Sequence, residues 1–168
     1  MSARVARDVV LVLVGFAVGA VVVGVLWPLL VDPVVVTRAE EGLLTDEVAL
    51  GDKFDNVGWY ALLSGGCAVL LGVLLSLRAR GHEVVTLLAI LVGAGLAAWL
   101  SARVGTWVGP GDPAAVLTEA EVGATAPDRV TLTADVGYLV WPIAALIGCV
   151  VVLWSRPGTA TPQDDERT

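Results

Sequence analysis

Apolar positions in this chain do not alternate with polar ones. They come in long unbroken runs, at residues 9–31, 57–77, 84–102 and 136–154. A helix rises about 1.5 Å per residue, so runs of this length suit the roughly 30 Å apolar core of a bilayer. Barrel strands would alternate and need only about 10 residues each. Backbone groups in lipid must also be satisfied within their own segment, which again selects helices. The expected fold is an all-α membrane protein, a four-transmembrane-helix bundle forming a single domain over residues 1–157. Residues 158–168 read as a disordered tail.

The first run could be mistaken for a secretory signal. A signal needs an apolar stretch of about 7–15 residues and a small-residue cleavage site. This run is longer and ends in Trp27-Pro28-Leu29-Leu30, so it reads as a retained helix. The linker from Arg78 to Glu83 is short, which predicts an antiparallel hairpin of the second and third helices.

Two longer polar stretches, 32–56 and 103–135, form loops on the opposite side. In the first, Val34 to Thr37 is β-branched, Glu41-Gly42 suits a turn, and Leu43 to Thr45 can return, so a small hairpin and a solvated acidic loop both fit. In the second, Pro113 to Ala120 predicts a short helix, and the alternating Arg129-Val130-Thr131-Leu132-Thr133 predicts a strand. The loops would then make a small β-containing cap.

Charge sets the expected orientation. Arg4, Arg7, Arg78, Arg80, Arg156 and Arg167 lie at the termini and in the short linker. Arg38, Lys53, Arg103 and Arg129 are spread over the longer loops. The positive-inside rule therefore predicts cytoplasmic termini, a multi-pass protein of the plasma membrane, and loops 32–56 and 103–135 outside.

Only 16% of residues are charged, and the net charge is −7. The acidic balance excludes nucleic acid, since phosphate binding needs a basic face. Cys67 and Cys149 form no Cys-x-x-Cys pair. No nucleophile elbow, phosphate loop or metal-ligand cluster is present, so no cofactor is expected. The four runs hold no Asp, Glu, Lys, Arg or His, although ion-coupled pumps usually place an ionisable residue there.

What remains is an aromatic collar. Trp27, Trp59, Trp99, Trp107 and Trp141 all fall toward the loop side, joined by Tyr60, Tyr138 and Phe54. Such a concentration either packs the loops onto the helix ends or lines an outward pocket, and packing is the preferred reading. Arg103 lies between Trp99 and Trp107. It reads first as an interfacial anchor whose stem snorkels, second as the partner of Asp55 or Asp135, and last as a ligand site. The candidate loop-docking collar is thus Arg103, Trp99, Trp107, Asp55, Trp59, Asp135 and Trp141. Pro142, inside the fourth run, predicts a kink. Small-residue spacings such as Gly15-x-x-x-Gly19 and Ala20-x-x-x-Gly24 predict close packing, either inside the bundle or at a homodimer face.

The chain resembles a family of small actinobacterial integral membrane proteins of unknown function. The likeness rests on Trp27-Pro28 closing the first helix, Trp59 opening the second, Arg103-x-Gly105-x-x-x-Gly109-Pro110 after the third, and Trp141-Pro142 in the fourth. It implies four helices with two outer loops and assigns no catalytic residue. The expected function is a non-enzymatic accessory or scaffolding component of the cell envelope. The alternative is a small transporter or channel acting as a homo-oligomer, with a membrane enzyme ranked last. Expected partners are the lipid bilayer and a homo-oligomer or larger membrane complex.

Overall fold

A computed structural model describes residues 3–40, 42–44, 47–78, 83–132 and 135–155; the side chains of residues 3, 4, 43, 44, 47–50, 52, 53, 83 and 135 are not described. The expected tail, the 79–82 linker, and residues Glu41, Thr45 and Thr133 of the expected turn and strands lie outside the described residues.

The element order is α1 (Ala3–Leu30), β1 (Val35–Ala39), β2 (Gly42–Leu44), α2 (Glu47–Arg78), α3 (Glu83–Val108), α4 (Pro113–Leu117), β3 (Thr125–Pro127), a 3-10 segment (Asp135–Leu139) and α5 (Val140–Ser155). Four helices are long and apolar enough to cross a membrane. The chain is a four-helix membrane bundle carrying a small cap at one end.

The helices overrun the apolar runs. Helix α2 begins at Glu47, ahead of the expected 57, and α3 continues to Val108, past the expected 102. The end of an apolar run marks a change of solvent, not a helix stop. Nothing between Ser101 and Val108 breaks a helix, and the chain turns only at Gly109-Pro110. Arg103 is therefore a helical residue, not a loop residue.

Pro142 makes no mid-helix kink. The chain enters as a 3-10 segment and becomes α-helical only at Val140. Pro142 then falls in the first turn of α5, where an N–H would have no intrahelical partner.

The helices pair in parallel. Helix α1 packs chiefly on α3, and α2 chiefly on α5. A Cβ on Gly93 would meet Phe16, and one on Gly105 would meet Trp27, so α1 and α3 run the same way. Likewise Gly65 lies against Val140 and Gly72 against Ala145. Between the pairs the direction reverses, with Gly19 facing Cys67 and Trp27 facing Tyr60. The expected α2–α3 hairpin is the weakest of these contacts, although the two helices are consecutive.

Glycine permits both tight seams. A Cβ on Gly24 would lie 2.8 Å from the Ser101 carbonyl oxygen. One on Gly72 would lie 2.3 Å from the Ala145 carbonyl oxygen, and one on Gly148 2.5 Å from that of Val69. Association in lipid is driven by packing, and small residues let backbones approach. Gly19, Ala20 and Gly24 are buried by the chain's own helices, so this stripe closes the bundle from within.

The cap is a three-stranded antiparallel sheet of order β2-β1-β3. The hairpin is present, with Arg38 opposite Leu43 and Ala39 opposite Gly42. Gly42 turns it at φ 135°, a value that side chains disfavour. The third strand is Thr125–Pro127, not the expected 129–133. The alternation at 129–132 has another cause. Val130 is buried against the bundle core, near Pro28 and Gly109, and Leu132 packs close over Gly137. These inward side chains follow the end of the bundle rather than a partner strand. The short helix is present as α4, capped by Asp112 Oδ1, which accepts from the Ala114 N–H at 3.0 Å. The Arg38 guanidinium donates to the carbonyls of Leu117 and Thr118, tying β1 to the end of α4.

Candidate functional site

The collar divides into an outward and an inward set. Trp99, Trp107 and Trp59 are 54%, 88% and 46% exposed, and Phe54 is 81% exposed. Asp55 is exposed as well. The Arg103 guanidinium lies over the Trp99 ring, 5.5 Å from its centroid. That is a cation–π contact on the bundle surface, worth about 0.5–1 kcal/mol in such a setting. Among the described residues Arg103 makes no ion pair, with Asp55 or any other acid. The Asp135 side chain lies outside the described residues. Arg103 and Trp99 are thus brought together on the surface of α3.

Trp141 belongs to the inward set. Trp27, Tyr60 and Trp141 are each 0% exposed, and so is Phe16 further down. Trp27 and Tyr60 meet at 4.9 Å between centroids, and Phe16 meets Trp141 edge-on at 6.1 Å. Together they fill the bundle below the cap.

This aromatic layer carries uncharged polar atoms. Trp27 Nε1 donates to the Asn56 carbonyl at 2.9 Å. The Tyr60 hydroxyl bonds to Ser101 Oγ at 2.9 Å, and both hydroxyls reach the Ala98 carbonyl, at 3.3 and 3.2 Å. Ser64 Oγ donates to the Tyr60 carbonyl at 2.6 Å. The Trp141 indole N–H has no hydrogen-bond partner among the described residues. The sequence did carry a signal for this layer, since Ser64 and Ser101 are hydroxyls inside apolar runs. No family model, curated protein or solved structure matches the chain.

The arrangement binds helices to one another. Tyr60–Ser101 joins α2 to α3, which otherwise touch little, and Trp27–Asn56 joins α1 to α2. Apart from the Trp141 N–H, the polar side chains of this layer are bonded to carbonyls and to each other. Its chemistry is cohesion. Tyr60→Phe should lower stability by about 1 kcal/mol, in the range of single interhelical hydrogen bonds in membranes. Ser101→Ala should cost less in the Tyr60→Phe background than alone, as read from unfolding in mixed detergent micelles. Two independent losses would show that the pair does not act as a unit.

The cap also carries a concavity of about 250 Å³, lined by Arg38, Glu40, Gly42, Ala114, Leu117 and Thr118 among others. Its one arginine already holds the end of α4.

Proposed function

We propose that this protein is a non-enzymatic scaffolding or accessory component of the cell envelope, resident in the plasma membrane with its termini in the cytoplasm and its cap outside. The carrying observation is the docking of the cap onto a closed bundle. Val130 and Leu132 continue the bundle core into the cap, and buried aromatics fill the space beneath. A folded surface packed onto the end of a membrane bundle suits a docking role. Trp107 and Phe54, both strongly exposed at that end, offer contact residues of the kind enriched at interfaces. The arginine distribution supports the orientation. The Trp-Pro steps and the Arg103–Pro110 motif support placing the chain among the small actinobacterial membrane proteins it resembles.

Reconstitution tests this reading against transport. Vesicles carrying the full chain should release ions and small solutes no faster than protein-free vesicles. A saturable flux that grows with protein density would defeat the scaffold reading and favour a pore formed between copies.

A further inference from the structure

The end of the bundle away from the cap carries a concavity larger than the one in the cap. It measures about 670 Å³ and is lined by Arg7, Asp8, Leu74, Leu75, Leu77 and Arg78. Arg7 lies in the first turns of α1 and Arg78 at the last residue of α2. Because α1 and α2 are antiparallel, both arginines reach the same end.

Their level is fixed by the sequence. Arg7 and Asp8 immediately precede the first apolar run, and Arg78 immediately follows the second. Both guanidiniums therefore stand where hydrocarbon gives way to headgroups. The wall below them is leucine, with Leu74 and Leu77 61% and 56% exposed along the helix surface. A ligand here would meet cations at one end and apolar surface at the other. That is the profile of a phospholipid whose phosphate is gripped and whose chains lie in a groove.

Charge selects among phospholipids. Among the described lining residues, two arginines face one carboxylate. Arg7 Nε lies 3.8 Å from Asp8 Oδ1 in a largely exposed pair, and such pairs contribute little. Guanidinium groups bind phosphate oxygens through paired N–H donors, and basic pockets between membrane helices hold anionic headgroups. The volume falls within the usual range of small-ligand sites, roughly 300–1,000 Å³.

The geometry points to a binding site for an anionic phospholipid between the start of α1 and the end of α2, its phosphate held by Arg7 and Arg78. This assignment stands apart from the scaffold reading and from the orientation, because it depends only on where the arginines meet the membrane boundary.

Native mass spectrometry of the detergent-released full chain tests it, with phosphatidylglycerol, phosphatidylethanolamine and phosphatidylcholine titrated in parallel and inorganic phosphate as competitor. Phosphatidylglycerol should bind saturably and in preference to both zwitterionic lipids. The preference should fall about fivefold for each of Arg7→Gln and Arg78→Gln, survive Arg7→Lys with Arg78→Lys, and rise in Asp8→Asn. Arg103→Gln, at the cap end, should leave it unchanged. Equal binding of the three lipids, or a preference kept by the double Gln variant, overturns the site. Loss in the double Lys variant as large as in the double Gln variant overturns the charge argument. Displacement of the lipid by inorganic phosphate at matching concentration reduces it to an ion site and overturns the lipid assignment. Unchanged circular dichroism and thermal unfolding confirm that the variants are folded.

Discussion

Gly72→Ala is expected to destabilise the bundle by about 3 kcal/mol, whereas Gly66→Ala on the same helix should leave it intact or slightly firmer. The added carbon is the same and only its surroundings differ. At Gly72 it would lie 2.3 Å from the Ala145 carbonyl oxygen and 3.2 Å from the Ala145 Cα. Those atoms are backbone of α5, so no rotamer change can relieve the clash and the helices must part. Overpacking a filled interior typically costs 1–3 kcal/mol, and a backbone obstacle belongs at the upper end of that range. At Gly66 nothing lies within 4 Å, and replacing glycine inside a helix removes its excess unfolded-state entropy, a gain of roughly 0.5–1 kcal/mol. Unfolding of the purified protein in detergent, followed by circular dichroism, compares the two. Equal effects at both positions would mean that α2 and α5 do not meet at this seam. Gly148 is the reciprocal test, since its Cβ would lie 2.5 Å from the Val69 carbonyl oxygen.

The second large effect is a coupling between Trp27 and Gly105. The Trp27 ring covers Gly105 so closely that a Cβ there would sit 2.5 Å from the indole Cε3. The ring cannot retreat, because Tyr60 packs on it and its N–H is held by the Asn56 carbonyl. Gly105→Ala alone should therefore cost about 2–3 kcal/mol. Trp27→Leu alone should cost about 3 kcal/mol, through lost contacts and the cavity left behind. Combined, the two should cost clearly less than their sum, because the new methyl enters space the indole has vacated. A coupling of about 1–3 kcal/mol is expected for residues in direct contact. Strict additivity in a double-mutant cycle would remove Gly105 as the seat of the Trp27 ring.

The four-helix architecture was legible because lipid imposes the strongest constraint a sequence can display. Long apolar runs have few other uses, and each of the four runs lies in a helix long and apolar enough to span a membrane. Helix ends were less legible, because hydropathy reports where the solvent changes while helices stop at breakers. Arg103, just past the third run, is therefore a loop residue by hydropathy and a helical residue by backbone. The hairpin was visible in its β-branched residues and turn, but the third strand was displaced. Alternation records burial on one side, and in Val130 and Leu132 the burying surface is the bundle rather than a sheet. The collar was legible as a set of aromatic residues and not as a geometry. Which tryptophans face inward depends on helix rotation, and with lipid outside and protein inside both faces are apolar. Trp141 and Trp99 therefore look alike in sequence, though one is fully buried and the other half exposed. The polar layer around Tyr60 escaped because its atoms carry no charge.

The parallel pairing of α1 with α3 and of α2 with α5 has a consequence for biogenesis. Synthesis delivers α1 and α2 first, and each finds its principal partner only in the second half of the chain. Until α3 arrives, Gly24 and the face around Trp27 stand against lipid or an insertion factor. Until α5 follows, Gly72 does too. A nascent chain halted after α2 holds two helices that meet only along their lesser contact, so quality control would see an unfinished membrane protein. The α1–α3 seam can close as soon as α3 is in place, whereas the α2–α5 seam waits for α5, so the two halves of the bundle are completed in order and the second only late in synthesis.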